Sequence, residues 1–100
     1  MSIEYLGTPK PPLNLATIAK LLDQLAHASG FRTVRKTDSE LGLAKISTGE
    51  TIHETTTISL ATDEVYLGFH SEVRDERERI LAMIQKLLRE QGFGCDLEEQ

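Results

Sequence analysis

Side chains that could do chemistry are concentrated between residues 51 and 70, where two histidines enclose a row of hydroxyl groups. Imidazole, carboxylate and thiolate groups are the usual protein ligands of transition metals. The groups of this kind in and around the stretch are His53, Glu54, His70, Glu72 and Cys95. Their spacing matches no compact metal-binding motif. A small-molecule or metal-binding domain with a site near His53 and His70 is therefore the alternative interpretation and not the favoured one.

Nucleophilic catalysis is a second chemistry to weigh, because Thr55, Thr57 and Ser59 could place a hydroxyl beside one of the histidines. Threonine is a good strand former, however, so an exposed strand explains this row without any catalysis. The sequence contains no G-x-S-x-G nucleophile elbow, no phosphate-binding glycine loop and no H-E-x-x-H helix. We therefore favour a protein that is not an enzyme and that needs no cofactor, and a small enzyme that uses this same strand face stays a third interpretation.

The size and charge of the chain limit its partners. A length of 100 residues suffices for one hydrophobic core, so residues 1–100 are expected to form a single domain. The formal net charge of −5 counts against a nucleic-acid partner, because phosphate binding needs clustered Lys and Arg. The short basic run of Arg32, Arg35 and Lys36 is typical of a solvated strand edge.

The sequence predicts a cytoplasmic protein with no membrane partner. No apolar run approaches the ~18 residues of a membrane-spanning helix. The first residues lack the basic and apolar regions of a signal peptide. Cys95 is the single cysteine, so no disulfide can form within the chain, as is usual in a reducing compartment.

The strongest structural signal is a β-hairpin, formed by two runs of alternating side chains around a short polar segment. Centring the turn on Thr62 and Asp63 places the apolar side chains of both runs on one side of the hairpin. The facing pairs on that side are Leu60 with Val65, Ile58 with Leu67, and Thr56 with Phe69. The opposite side carries His53, Thr55, Thr57, Ser59, Tyr66, Gly68 and His70. One side thus suits a hydrophobic core, and the other suits water or a partner.

Glu54 is the exception to this alternation, since its position in the strand places a carboxylate on the core side. It would lie beyond the end of the core or form an ion pair with Lys45. The turn at residues 48–50 leaves a further choice open. A loop of two or of three residues decides whether Ile46 or Lys45 faces the core, because a slip of one residue exchanges the two faces.

Two amphipathic helices are expected, one before and one after the central strands along the chain. Asn14 suits the N-cap of the first helix, which has apolar residues at helical spacing. The second helix begins between Ser71 and Asp75, with acidic residues in its first turns as the helix dipole favours. Both helices end on a Gly-Phe dipeptide. We expect Gly30 and Gly92 to adopt positive φ there, because left-handed backbone strains any residue with a side chain.

Strands are expected at residues 3–6, 31–36, 41–47 and 95–97 in addition to the hairpin, with a frayed acidic end at 98–100. Right-handed crossovers then place both helices on one face of the sheet. The predicted fold class is α+β, a two-layer sandwich with a mainly antiparallel sheet and two helices on one face. This plan resembles the ferredoxin-like fold with an inserted β-hairpin. The resemblance is architectural and implies no activity.

A polar sheet face that helices leave uncovered is the feature on which a function can be based. We expect a small soluble protein-binding domain of the inhibitor, immunity or adaptor type, because an acidic surface speeds the capture of a basic partner. The partner could instead be a second copy, since a twofold axis buries the same face on both members of a homodimer. The predicted binding residues are His53, Thr55, Thr57, Tyr66 and His70.

Overall fold

The computed structural model describes residues 2–28, 30–44, 54–70 and 74–100. His53, the turn at residues 48–50 and the stretch before Arg74 lie outside these ranges. The described elements are β1 (Ile3–Gly7), α1 (Leu15–Ala28), β2 (Arg32–Lys36), β3 (Glu40–Ala44), β4 (Thr56–Leu60), β5 (Val65–Phe69), α2 (Arg74–Glu90) and β6 (Glu98–Glu99). No helix in this part of the chain is long and apolar enough to cross a membrane.

The described strands form one antiparallel sheet in the order β2-β3-β4-β5-β1-β6. β2 to β5 follow one another as a meander, whereas α1 carries the chain from β1 to the far edge. α2 carries it from β5 past β1 to β6, so β1 lies between two strands that come later in the sequence. This is the β-α-β-β-α-β plan of the ferredoxin-like fold with two more strands between the helices. The predicted α+β two-layer sandwich is confirmed.

The core fills the space between the helices and one face of the sheet. Its largest side chains are at most 2 % exposed. The helices contribute Ile18, Leu21, Leu22, Leu25, Ile80, Ile84 and Leu88. The sheet contributes Leu41, Leu43, Ile58, Leu60, Val65, Leu67 and Phe69. Because residues of both helices pack against the same strands, both helices cover one face, as predicted from the crossovers.

The hairpin of β4 and β5 has the predicted register. Ile58 pairs with Leu67, and the flanking pairs are Thr56 with Phe69 and Leu60 with Val65. The backbone N–H of Ala61 donates to the carbonyl of Glu64 at 2.8 Å, which closes the turn around residues 62–63. The two faces of the hairpin are therefore those that the alternation predicts.

The N-cap of α1 and the C-terminal ends of both helices also agree with the predictions from the sequence. The Asn14 side-chain oxygen accepts from the N–H of Thr17 at 2.8 Å and so caps α1. Gly30 and Gly92 have φ of 74° and 91°. After α2, the N–H of Phe93 donates to the carbonyl of Leu88 at 2.8 Å and that of Gly92 to Arg89 at 3.0 Å. These are the two hydrogen bonds of a Schellman motif.

The closing strand differs from its predicted position. β6 is Glu98–Glu99, not residues 95–97, and pairs Leu6 with Glu98 and Tyr5 with Glu99. Residues 98–100 are therefore not frayed. The reason lies in β1, which ends at Gly7. In this antiparallel register residues 95 and 96 lie beyond that end and have no strand to pair with. Residues 95–97 instead pack so closely on Gly7 that a Cβ there would lie 2.6 Å from the Cys95 Sγ.

Leu67→Ala should lower the free energy of unfolding by about 2–5 kcal/mol, because Leu67 is fully buried and its truncation leaves a cavity. Urea denaturation of the purified variant measures this. A loss below ~0.5 kcal/mol would contradict the assignment of the core face.

Gly92→Ala should destabilise the protein by about 1 kcal/mol through backbone strain alone, since nothing lies within 4 Å of the added Cβ. Gly94→Ala is the matched control: the nearest atom to its Cβ is 3.9 Å away, and its φ is not positive. Equal thermal unfolding midpoints for the two variants would contradict the backbone strain expected at residue 92.

Candidate functional site

The face of the sheet opposite the helices is the candidate site, and we call it the open face. Antiparallel pairing arranges its side chains in two rows that cross the strands. The first row is Arg35, Gly42, Thr57, Gly68 and Glu4. The second row is Glu40, Ser59, Tyr66, Leu6 and Glu98. His70 and Glu54 adjoin the first row at the strand ends.

A line of hydrogen bonds crosses the open face and begins at Ser2. The Ser2 Oγ lies 3.1 Å from His70 Nδ1, and His70 Nε2 lies 3.1 Å from Thr57 Oγ1. The Thr57 hydroxyl donates to Glu54 Oε2 at 2.5 Å. Since Thr57 gives its one proton to Glu54, the neutral imidazole must carry its proton on Nε2 and accept from Ser2 at Nδ1.

Arg35 continues the line at its other end. Its Nε and Nη2 donate to the two carboxylate oxygens of Glu54 at 3.0 and 3.2 Å. Its Nη1 donates to Glu40 Oε1 at 2.5 Å. The guanidinium thus holds Glu54 in bidentate geometry and bridges it to a second carboxylate. Side chains from three strands, β2, β3 and β4, and from residues that flank β1, β4 and β5 are thereby held in one arrangement.

The electrostatics of this line follow from its contacts. Hydrogen bonding to Arg35 holds the pKa of Glu54 below its ordinary value, and Thr57 helps, while burial acts in the opposite direction. The two carboxylates in turn raise the pKa of Arg35. Glu54 and Arg35 therefore stay ionised near neutral pH.

Two glycines allow side chains to lie close to the sheet. A Cβ on Gly42 would collide with the Glu54 carboxylate, and one on Gly68 would lie 2.7 Å from the Tyr66 hydroxyl oxygen. Gly42 and Gly68 both belong to the first row, so the Glu54 and Tyr66 side chains pack directly on the sheet backbone. Burial raises the pKa of Tyr66, and the nearby Glu4 carboxylate raises it further.

The predicted binding residues have different positions. Thr57, Tyr66 and His70 lie on the open face, and Thr57 contacts His70 directly. Thr55 does not join the line, since its hydroxyl donates to the Leu43 carbonyl at 3.3 Å. His53 lies outside the described residues, so its relation to His70 stays a prediction.

The alternation predicted that Glu54 faces the core side, and this prediction is wrong. Glu54 lies on the open face. The cause is a β-bulge at the start of β4. Leu43 pairs with Thr56, yet its carbonyl also accepts from the N–H of Thr55 at 2.8 Å. Two consecutive residues therefore oppose one, and the extra residue reverses the alternation before Thr56. Arg35 consequently has Glu54 as its partner, and Lys45, the alternative partner, is outside the described residues.

The metal-binding alternative has little support in the geometry. Within the described ranges, no group of three or more His, Cys, Asp or Glu side chains could hold a metal ion. Both ring nitrogens of His70 are already engaged. Burial, with a contribution from Asp96, raises the pKa of the Cys95 thiol. A thiol of that kind is a poor nucleophile near neutral pH.

A groove with a volume of about 580 Å³ adjoins the open face at the β1–β6 edge. It meets the second row at Leu6 and Glu98. The other charged side chains that line it are Lys10, Glu64 and Asp96. Sequence reasoning missed this groove because its walls come from the ends of β1, the hairpin and the closing strand, which only the fold brings together.

Glu54→Gln should make stability less sensitive to acid. The folded pKa of Glu54 lies below its ordinary value of 4.5, so its contribution is fully present above that value and lost as the pH falls through the folded pKa. Urea unfolding at about pH 7 and about pH 3 measures the loss, which should be smaller for the variant than for the wild type. Glu90→Gln, at the exposed end of α2, is the control. Equal losses for wild type and Glu54→Gln would contradict the role of the Arg35 contact.

No protein-family model matches this sequence, and none of the curated proteins is significantly similar to it. Among solved structures, the NMR structure of PA4090 from Pseudomonas aeruginosa has the same fold, with a TM-score of 0.61. The match covers 100 % of this chain and 96 % of that chain at 12 % sequence identity. At this level of identity the similarity concerns the fold alone.

Proposed function

We propose that this chain is a small, soluble, non-enzymatic protein-binding domain of the inhibitor, immunity or adaptor type, which captures its partner with the open face. The observation that carries the proposal is the line of hydrogen bonds from Ser2 to Glu40. It holds polar side chains of neighbouring strands in place on a face that neither described helix covers. The proposal assigns the domain to the cytoplasm.

Such a line favours binding because its side chains are ordered before the partner arrives. Ordering a flexible side chain at an interface costs about 0.5–1.5 kcal/mol. Thr57, Glu54 and Arg35 are already held by each other, so a partner that binds them meets little of this cost. A solvated face without function needs no such order.

The charge of the open face indicates the kind of partner. Its two rows and their flanking residues carry four carboxylates, on Glu4, Glu40, Glu54 and Glu98. They carry two guanidinium groups, on Arg35 and on Arg32, which pairs with Ala44. A net negative surface attracts a basic partner over a distance and raises the rate of association. In a homodimer the twofold axis would bring this acidic face against its own copy. A basic protein of another kind therefore fits the face better.

The small-molecule or metal-binding alternative makes a different demand. A metal at His70 would have to displace either Ser2 or Thr57 from a ring nitrogen. A thermal-shift screen with divalent metals and metabolites separates the two functions, because a ligand that binds the folded state raises the unfolding temperature. We expect no shift in this screen.

Thr57→Val should weaken partner binding by more than ~1 kcal/mol, because it keeps the shape of the side chain and breaks the line between His70 and Glu54. The protein itself serves as bait in lysate of its native host, and the recovered partner is then titrated against each variant. Thr62→Val, in the exposed hairpin turn, is the matched control and should bind as the wild type does.

Two results would contradict the proposal. One is that the wild type recovers no protein, and the other is that Thr57→Val binds the recovered protein as tightly as Thr62→Val does. Sedimentation at several concentrations tests the homodimer, and self-association that Thr57→Val abolishes would replace the foreign partner with a second copy.

A further inference from the structure

We propose that Tyr66 and Glu4 form the docking point for an arginine side chain of the partner protein. The inference rests on the proposed function, since it names the chemical group that a partner presents to the open face. It concerns the end of that face opposite to Arg35, because Arg35 and Glu4 are the two ends of the first row.

The position of the Tyr66 ring is set by Gly68. A Cβ on Gly68 would lie 2.7 Å from the Tyr66 hydroxyl oxygen, 3.2 Å from Cζ and 3.3 Å from Cε1. The ring therefore extends along β5 with bare backbone beneath its outer half. Tyr66 remains partly exposed on the helix-free side of the sheet. The ring surface that a partner can reach is the one turned away from the backbone.

Glu4 places a carboxylate at the hydroxyl end of this ring. It pairs with Gly68 across β1 and β5, and the Tyr66 hydroxyl lies over that same Gly68. The Glu4 carboxylate is therefore close to the hydroxyl, and its charge contributes to the raised pKa of Tyr66. An ionised carboxylate has about four acceptor positions, so one phenol leaves others for a further donor. Glu4 is exposed, and these positions face the side from which a partner approaches.

A ring face with a carboxylate at its edge suits a cation, and among cations it suits a guanidinium. The π-electrons attract a positive charge placed over the ring. A planar guanidinium can stack on the ring and donate to Glu4 at the same time, whereas an ammonium is a point charge that cannot do both equally well. Leu6, beside Tyr66 in the second row and partly buried, offers apolar contact to the methylene groups of the same side chain.

The Arg35 guanidinium of this face does not compete for the position. Arg35 is held by Glu54 and Glu40 through three hydrogen bonds at the opposite end of the row. The open face thus has an occupied arginine position at one end and an arginine-binding position of similar chemistry at the other. An incoming arginine would complete at Tyr66 and Glu4 the kind of ion pair that Arg35 makes within the chain.

The test is an NMR titration of the ¹⁵N-labelled protein with three blocked amino acids: N-acetyl-arginine amide, Nα-acetyl-lysine amide and N-acetyl-citrulline amide. Citrulline has the shape of arginine without its charge. We expect shifts at Glu4, Tyr66 and Gly68 with the arginine probe, several-fold weaker binding of the lysine probe, and no binding of the citrulline probe.

Variants separate the site from general charge. Glu4→Gln and Tyr66→Leu should each weaken binding of the arginine probe at least about threefold, whereas Tyr66→Phe keeps the ring and should stay within about twofold of the wild type. Glu64→Gln changes the net charge as Glu4→Gln does, but away from the ring, and should not weaken binding. The spectra themselves show whether each variant is folded.

The inference is overturned if citrulline binds as arginine does, if Glu64→Gln weakens binding as much as Glu4→Gln, or if the shifts centre on the groove. Failure here is distinguishable from failure of the proposed function. Capture of a partner that depends on Thr57, together with no arginine binding, rejects only the docking point. Arginine binding at Tyr66 without any captured partner supports the site and counts against the wider proposal.

Discussion

The register in which β4 pairs with β5 is the constraint on which both faces of the sheet depend. A slip of one residue would reverse the faces of one of the two strands, turning either Ile58 or Leu67 to water and bringing either Thr57 or Tyr66 under the helices. Each large apolar side chain contributes about 1.5–3 kcal/mol when it is buried, so such a slip costs more than any polar contact could return. The hydrophobic core thereby determines the place of the polar residues. The side chains of the open face have fixed positions because packing of the opposite face in the core fixes the register.

A bulge at Thr55 and Thr56 interrupts this regularity locally, as a register shift between Thr33 and Arg35 does in β2. The bulge at Thr55 and Thr56 explains how the chain accommodates Glu54. With strict alternation that carboxylate would enter the core, where an unpaired charge is very unfavourable. The bulge turns it to the open face, where Arg35 and Thr57 bind it. Thr56 remains on the core side, fully buried. Its hydroxyl has no hydrogen-bond partner within the described part of the chain, which is unfavourable by about 1–3 kcal/mol.

The features that could be predicted from the sequence are those that depend on short stretches of the chain. Alternation and a turn signal identify the hairpin, and glycine after an apolar helical stripe identifies both helix ends. The features it missed depend on residues that are far apart in the sequence. Ser2 and His70 are 68 positions apart, and Arg35 and Glu54 are 19 apart. No local pattern marks the bulge that brings Glu54 to Arg35, and Glu98–Glu99 become a strand only because β1 offers them an edge.

The place of β1 in the sheet has a consequence for the order in which the protein is made. β1 is synthesised before both of its neighbours, β5 and β6, so it waits unpaired while the meander from β2 to β5 assembles from local hairpins. Its pairing with β5 closes a long chain segment, which is the slow kind of step in folding because loop entropy must be lost before the contacts form. Until β6 arrives, β1 has an open edge that can pair with a strand of another chain. A chain truncated within α2 lacks β6, so it would leave this edge of β1 exposed and would tend to associate with other chains.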